Sequence, residues 1–127
     1  MPTPPSEAEI EILQVLWQRG QSTVREIHEH LETKRKVGYT TTLTQVQRMV
    51  KKSYVKQHRS GKSHTFTALL NEEDVQGSLV QRLVDTAFKG STANLLMHAL
   101  GKGNPNQGEL DTLEAWLEAK RKEETDP

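Results

Sequence analysis

From Thr33 to Asn71 the chain carries nine Lys or Arg and no Asp or Glu, although the whole 127-residue sequence is neutral, with 17 basic and 17 acidic residues. The groups in that run that can do chemistry are hydroxyls, amides and cations. They are Thr40, Thr41, Thr44, Gln45, Arg48, Lys51 and Lys52, with Tyr39 just before them and Arg59 and Lys62 beyond. Short Thr and Gln side chains can come close to base edges and hydrogen-bond to them, and a Thr methyl suits the methyl of thymine. Arg48 can grip guanine through two bonds or hold a phosphate, and the remaining cations suit phosphates, which position a protein without reading sequence. An acid on the same surface would repel phosphate, so the acid-free run fits a polyanion.

Other chemistries lack their residues. With no cysteine in the chain, disulfides, zinc ribbons, iron–sulfur clusters and cysteine nucleophiles drop out together. His28 and His30 stand two apart on an expected helix and point in different directions. His58 and His64 flank an expected turn, and His98 lies among Leu95, Leu96, Met97 and Leu100. No carboxylate pair, Ser-His-Asp set or glycine-rich phosphate loop emerges. No catalytic residue, metal or cofactor is therefore expected, and the chain does not read as an enzyme.

Length and charge narrow the class further. The chain has room for one compact domain, or a small domain with an appendage, and a further interface would help so small a core. Residues 1–70 carry eleven basic against six acidic residues, or +5, and residues 71–127 carry six against eleven, or −5. That split suggests a polyanion-binding half joined to something else. The start, MPTPPSEAEI, has neither a basic nor an apolar leader segment. No stretch approaches the ~18 apolar residues of a membrane span, so a soluble, cytoplasmic protein is expected.

The elements that must position these groups follow from periodicity. Ser6-Glu7-Ala8-Glu9 is a capping box. It opens a helix with Ile10, Leu13, Leu16 and Trp17 on one side, stopped by Gly20. Thr23 and Glu26 form a second box before Val24, Ile27 and Leu31. A third helix is predicted from about Thr40 to Lys52, with Leu43, Val46 and Val50 as its buried edge. At about 100° per residue, the Thr, Gln, Arg and Lys set falls on the opposite arc, while Thr42 turns inward. Tyr54–His58 and His64–Ala68 then read as two strands around Arg59-Ser60-Gly61-Lys62-Ser63.

Beyond Asn71 the pattern becomes helical again. Val75, Leu79, Leu83 and Ala87 form one apolar row and Val80, Val84 and Phe88 another, wide for a helix at the end of a small domain. Gly90 breaks it, Ser91 can cap a short helix carrying Leu95, Leu96, Ala99 and Leu100, and 101–108 reads as a turn-rich linker. A last helix, about Glu109 to Lys122, carries Leu110, Leu113 and Leu117.

Three helices followed by a two-stranded hairpin is the order of a winged helix, whose third helix enters the major groove. The fold expected is mainly α with a small β-hairpin: a winged helix-turn-helix DNA-binding domain over residues 1–70, then a helical dimerisation region over 71–127.

The stretches SEAEIEILQVLWQRGQSTVREIHEHL, VGYTTTLTQVQRMVKKSYV and HRSGKSHTFTALL carry a specific resemblance. Over nearly the whole chain they resemble the penicillinase repressor family, the BlaI/MecI/CopY-like winged-helix repressors. The resemblance implies a homodimeric repressor that binds double-stranded operator DNA across a pseudo-palindrome. It implies reading by Thr40, Thr41, Thr44 and Arg48, with a wing around Ser60-Gly61-Lys62. It gives dimerisation to Val75, Leu79, Leu83, Phe88, Leu95, Leu96, Leu100, Leu110, Leu113 and Leu117.

In that family induction follows proteolysis in the dimerisation region, triggered by a membrane sensor metalloprotease acting in trans. The scissile pair there is Asn-Phe, whereas the corresponding stretch here, the candidate cleavage region, reads Met97-His98-Ala99 after Leu96. Copper-sensing relatives use a C-terminal cysteine cluster, which a cysteine-free chain cannot form. The rival expectation, from another class, is a winged-helix interaction module whose basic face meets an acidic protein.

Overall fold

The computed structural model describes residues 4–125. The chain runs α1 (Glu7–Arg19), β1 (Ser22–Thr23), α2 (Val24–Glu32), α3 (Tyr39–Lys51), β2 (Val55–Ser60) and β3 (Ser63–Ala68). It continues through α4 (Glu72–Thr86), α5 (Thr92–Gly103) and α6 (Gln107–Thr125). Contacts divide it into two compact units, residues 1–81 and 82–127.

The starts of α1 and α2 follow from the capping boxes. Ser6 Oγ accepts from the Glu9 backbone N–H at 3.3 Å, and Glu9 Oε1 accepts from the Ser6 N–H at 2.8 Å. Thr23 and Glu26 repeat the exchange at 3.1 and 2.9 Å. Each box satisfies two N–H groups that a helix start leaves unpaired. Gly20 ends α1 with φ near +81°, a backbone that a side chain would strain.

The core of residues 1–81 joins Ile12, Leu13, Val15 and Leu16 of α1 to Val24, Ile27 and Leu31 of α2. Val46 and Met49 of α3, with Val55 and Phe66 from the sheet, complete it. Burying each of the larger side chains stabilises the fold by about 1.5–3 kcal/mol before entropy is charged against it. The buried edge of α3 is Thr42, Val46 and Met49, with Leu43 and Val50 only half-buried. The helix is thus rotated from the predicted edge toward Thr42 and Met49, with Leu43 and Val50 packed at the margin of the core.

The hairpin is antiparallel from Val55↔Ala68 to Ser60↔Ser63, leaving Gly61-Lys62 as a two-residue turn. Gly61, with φ near +60°, supplies the positive φ that such a turn needs at its first position. One strand went unpredicted: β1 pairs with β3, Ser22 opposite Phe66, giving sheet order β1-β3-β2. Two residues are too few for a periodic signal, and the pairing joins positions far apart in sequence.

α4 starts where Asn71 Oδ1 accepts from the N–H groups of Glu73 and Asp74 at 2.9 and 3.2 Å. Gly90, at φ near +86°, follows its end. α5 runs to Gly103, further than expected, and closes at Asn104 in the left-handed region. α6 starts at Gln107 rather than Glu109, because Asn106 and Glu109 form a capping box at 2.8 and 3.2 Å. No described helix is long and apolar enough to cross a membrane.

Candidate nucleic-acid interface

The outward arc of α3 gathers the predicted residues. Thr40, Thr41, Thr44, Gln45 and Arg48 line one shallow cleft on the helix, and Thr42, between them in sequence, is buried. Gln47 was missed. It is exposed, and at about 100° per residue it falls within about 40° of Thr40 and Lys51, at the edge of the arc that borders the wider groove. Angle alone would have found it, and its amide suits adenine.

A second, wider groove runs between α3, the start of α2 and the hairpin. Tyr39, Gln47 and Lys51 line its α3 side, Arg25 its α2 side, and Lys62 and His64 its hairpin side, over Val24 and Phe66. No acid lines it. Arg25 joins the cations already named only when the chain folds, since it lies outside the acid-free run.

That run is free of acids along the chain but not in space. Arg35 Nη2 sits 2.8 Å from Glu11 Oε1, and Lys52 Nζ sits 2.8 Å from Glu9 Oε2. Both carboxylates come from α1, so two of the nine cations tie the segment before α3 and the C-cap of α3 back to α1. Lys52 also lies 5.5 Å from the centre of the Tyr54 ring. Its ammonium thus faces a carboxylate and a ring, unlike Arg48, Lys51, Arg59 and Lys62, which form no ion pair among the described residues.

Glu9 is the carboxylate that matters to the fold, being 4% exposed. Burial pushes its carboxyl up, but hydrogen bonds from Lys52 and Ser6 outweigh burial together and the net displacement is downward. The same hydrogen bond moves the Lys52 ammonium upward. The two effects agree in direction: each partner favours the charged form of the other.

The residues assigned to dimerisation divide by exposure. Val75 is buried, and Leu79, Phe88 and Leu95 are half-buried. Leu83, Leu96, Leu100, Leu110, Leu113 and Leu117 are exposed, and so are Val80, Met97 and Trp116, the last at 61%. Trp116 continues the α6 stripe at helical spacing. Met97, His98 and Ala99 lie inside α5, with the His98 ring 5.4 Å from that of Phe88.

A model of the penicillinase repressor family matches residues 5–119. The chain belongs to that family. Penicillinase repressors are transcriptional repressors rather than enzymes. The transcriptional regulator BlaI of Mycobacterium tuberculosis is 34% identical over 89 residues, 68% of this chain but only 64% of that protein's length. The methicillin resistance regulatory protein MecI of Mammaliicoccus sciuri is 23% identical over 115 residues, 91% of this chain and 94% of its own.

Among solved structures, the monomeric form of Bacillus licheniformis BlaI bound to the blaP half-operator superposes with a TM-score of 0.50 at 26% identity. The match covers 58% of this chain and 93% of that one. A penicillinase repressor of known structure thus matches over little more than half of this chain.

Proposed function

We propose that the protein is a homodimeric, sequence-specific transcriptional repressor that binds a pseudo-palindromic operator. In this reading residues 1–70 bind DNA and residues 71–127 dimerise. Thr40, Thr41, Thr44, Gln45, Gln47 and Arg48 face base edges in the major groove. Tyr39, Lys51, Arg59 and Lys62 meet the backbone on either side, and Lys52 contributes chiefly by holding α3 to α1. The exposed apolar rows of α4, α5 and α6 meet the same rows of a second copy.

The observation that supports this most is the pairing of an acid-free groove along one flank of α3 with the polar arc along the adjoining flank. A module for an acidic protein would have use for the cations but none for the cluster of Thr and Gln. Induction by proteolysis is part of the proposal, with a membrane sensor metalloprotease acting in trans. Because Met97-His98-Ala99 is helical, cutting there requires α5 to open locally.

Selection of duplexes from a random pool tests the reading. The expected outcome is enrichment of two related half-sites about 10–10.5 bp apart, or a multiple of that spacing, with affinity falling steeply as salt rises. Recovery of no common sequence at any salt would sink it.

A further inference from the structure

The first turn of α3 is the least locally supported part of the interface. α1 and α2 open with reciprocal capping boxes, whereas α3 opens at Gly38 without any side-chain cap. Support comes instead from His28 on α2. Its Nδ1 lies 3.2 Å from Thr42 Oγ1, its Nε2 lies 2.9 Å from Glu32 Oε1, and its ring meets Tyr39 edge-on at 5.4 Å. The His28 side chain is 12% exposed, and Thr42 is buried.

We propose that His28 is a positioning residue for the reading helix, fixing its first turn through Thr42 and Tyr39 so that Thr40, Thr41 and Thr44 meet base edges in register. The inference rests on the DNA-reading function proposed above.

The hydrogen-bond directions follow from the partners. An ionised carboxylate only accepts, so Nε2 carries the hydrogen toward Glu32. In the neutral ring Nδ1 is then the acceptor, and the Thr42 hydroxyl donates to it. The other acceptor within reach of that hydroxyl is the Gly38 carbonyl at 3.5 Å, too long to compete. In that tautomer the shorter of the two bonds commits the hydroxyl proton of Thr42 to α2. Glu32 orients the ring, the ring orients Thr42, and Thr42 sits between Thr41 and Leu43 at the base of the reading arc. Tyr39, the first helical residue, is braced by the same ring. A reading side chain needs its support fixed to within about 0.5 Å, and an uncapped helix start does not provide that by itself.

The test compares the full chain with His28→Leu and His28→Gln on the selected duplex and on random duplex of equal length. His28→Leu should lose roughly three- to tenfold more on the selected duplex than on random duplex, the worth of one hydrogen bond. His28→Gln, whose amide can donate to Glu32 while its oxygen accepts from Thr42, should recover most of the loss. Unchanged binding of the selected duplex by His28→Leu, or an equal loss on both duplexes, would overturn the proposal.

Should His28→Leu fail to fold, nitrogen NMR of the unmodified protein decides. A ring protonated at Nε2 with bare Nδ1 is the expected signature, and the opposite tautomer overturns the arrangement. If the unmodified chain selects no site, the DNA-reading function fails and the positioning role goes with it. Selection that survives beside the wrong tautomer removes the positioning role alone.

Discussion

In residues 1–81, apolar side chains from α1, α2, α3 and the sheet close over one another, whereas in residues 82–127 Val84 is the one buried apolar residue among those described. The two regions obey the same helical periodicity. In the first, three stripes converge within one chain and leave polar arcs outward. In the second, Leu96, Met97 and Leu100 of α5 and Leu110, Leu113, Trp116 and Leu117 of α6 remain exposed. Exposed apolar surface on that scale marks an interaction site. Amphipathic stripes thus specify a fold where partners lie in the same chain, and in the proposed dimer the uncovered ones meet a second copy.

Separating the regions tests that difference most severely. A truncation after Gln81 should stay folded, because its core is internal, and should bind a single half-site as the full chain does. On the full operator it should lose roughly two to four orders of magnitude, the gain that tethering two modules brings. Leu113→Asp with Leu117→Asp in the full chain should give the same loss and sediment as a monomer. Full operator affinity in the truncated protein would break the comparison.

The sequence made the first region legible in more detail than the second. Ser6 and Thr23 announce their helices because capping boxes are local, and Gly61 announces its turn for the same reason. Local signals say nothing of which distant groups meet. β1 against β3, Glu9 against Lys52, Glu11 against Arg35 and His28 against Thr42 all join residues that only the fold brings together, so each was invisible along the chain. A run without acids could be counted, but the carboxylates that α1 lends it could not. In the second region the stripes were legible, while the Asn106 box passed unnoticed inside what read as a linker.

Within the first region, a smaller effect separates reading from positioning. Arg48→Ala should weaken the selected duplex by about 1–3 kcal/mol and relax preference at one base position. Lys62→Ala should weaken all sequences alike and lower the salt slope by about 1. Binding assays on matched selected and random duplexes at several salt concentrations distinguish the two. An equal loss on both duplexes for Arg48→Ala would move Arg48 to the backbone set.

The subtlest effect concerns the packing inside the first region. Folding moves the Glu9 carboxyl below its ordinary value of 4.5: burial opposes this, and the Lys52 and Ser6 hydrogen bonds overcome it. A carboxyl with a lowered folded value binds fewer protons folded than unfolded. It therefore adds stability above the unfolded value, and loses that contribution as pH falls through the lowered one. Glu9→Gln removes the titration but keeps the shape, so the variant should melt lower than the parent at pH 7. The gap should narrow on acidification below about pH 4.5. Thermal melting of both truncated proteins across that range gives the answer without interference from the second region. A gap that stays constant with pH would mean that the charge of Glu9 contributes nothing to the fold, leaving the hydrophobic core to hold α1 and α3 together.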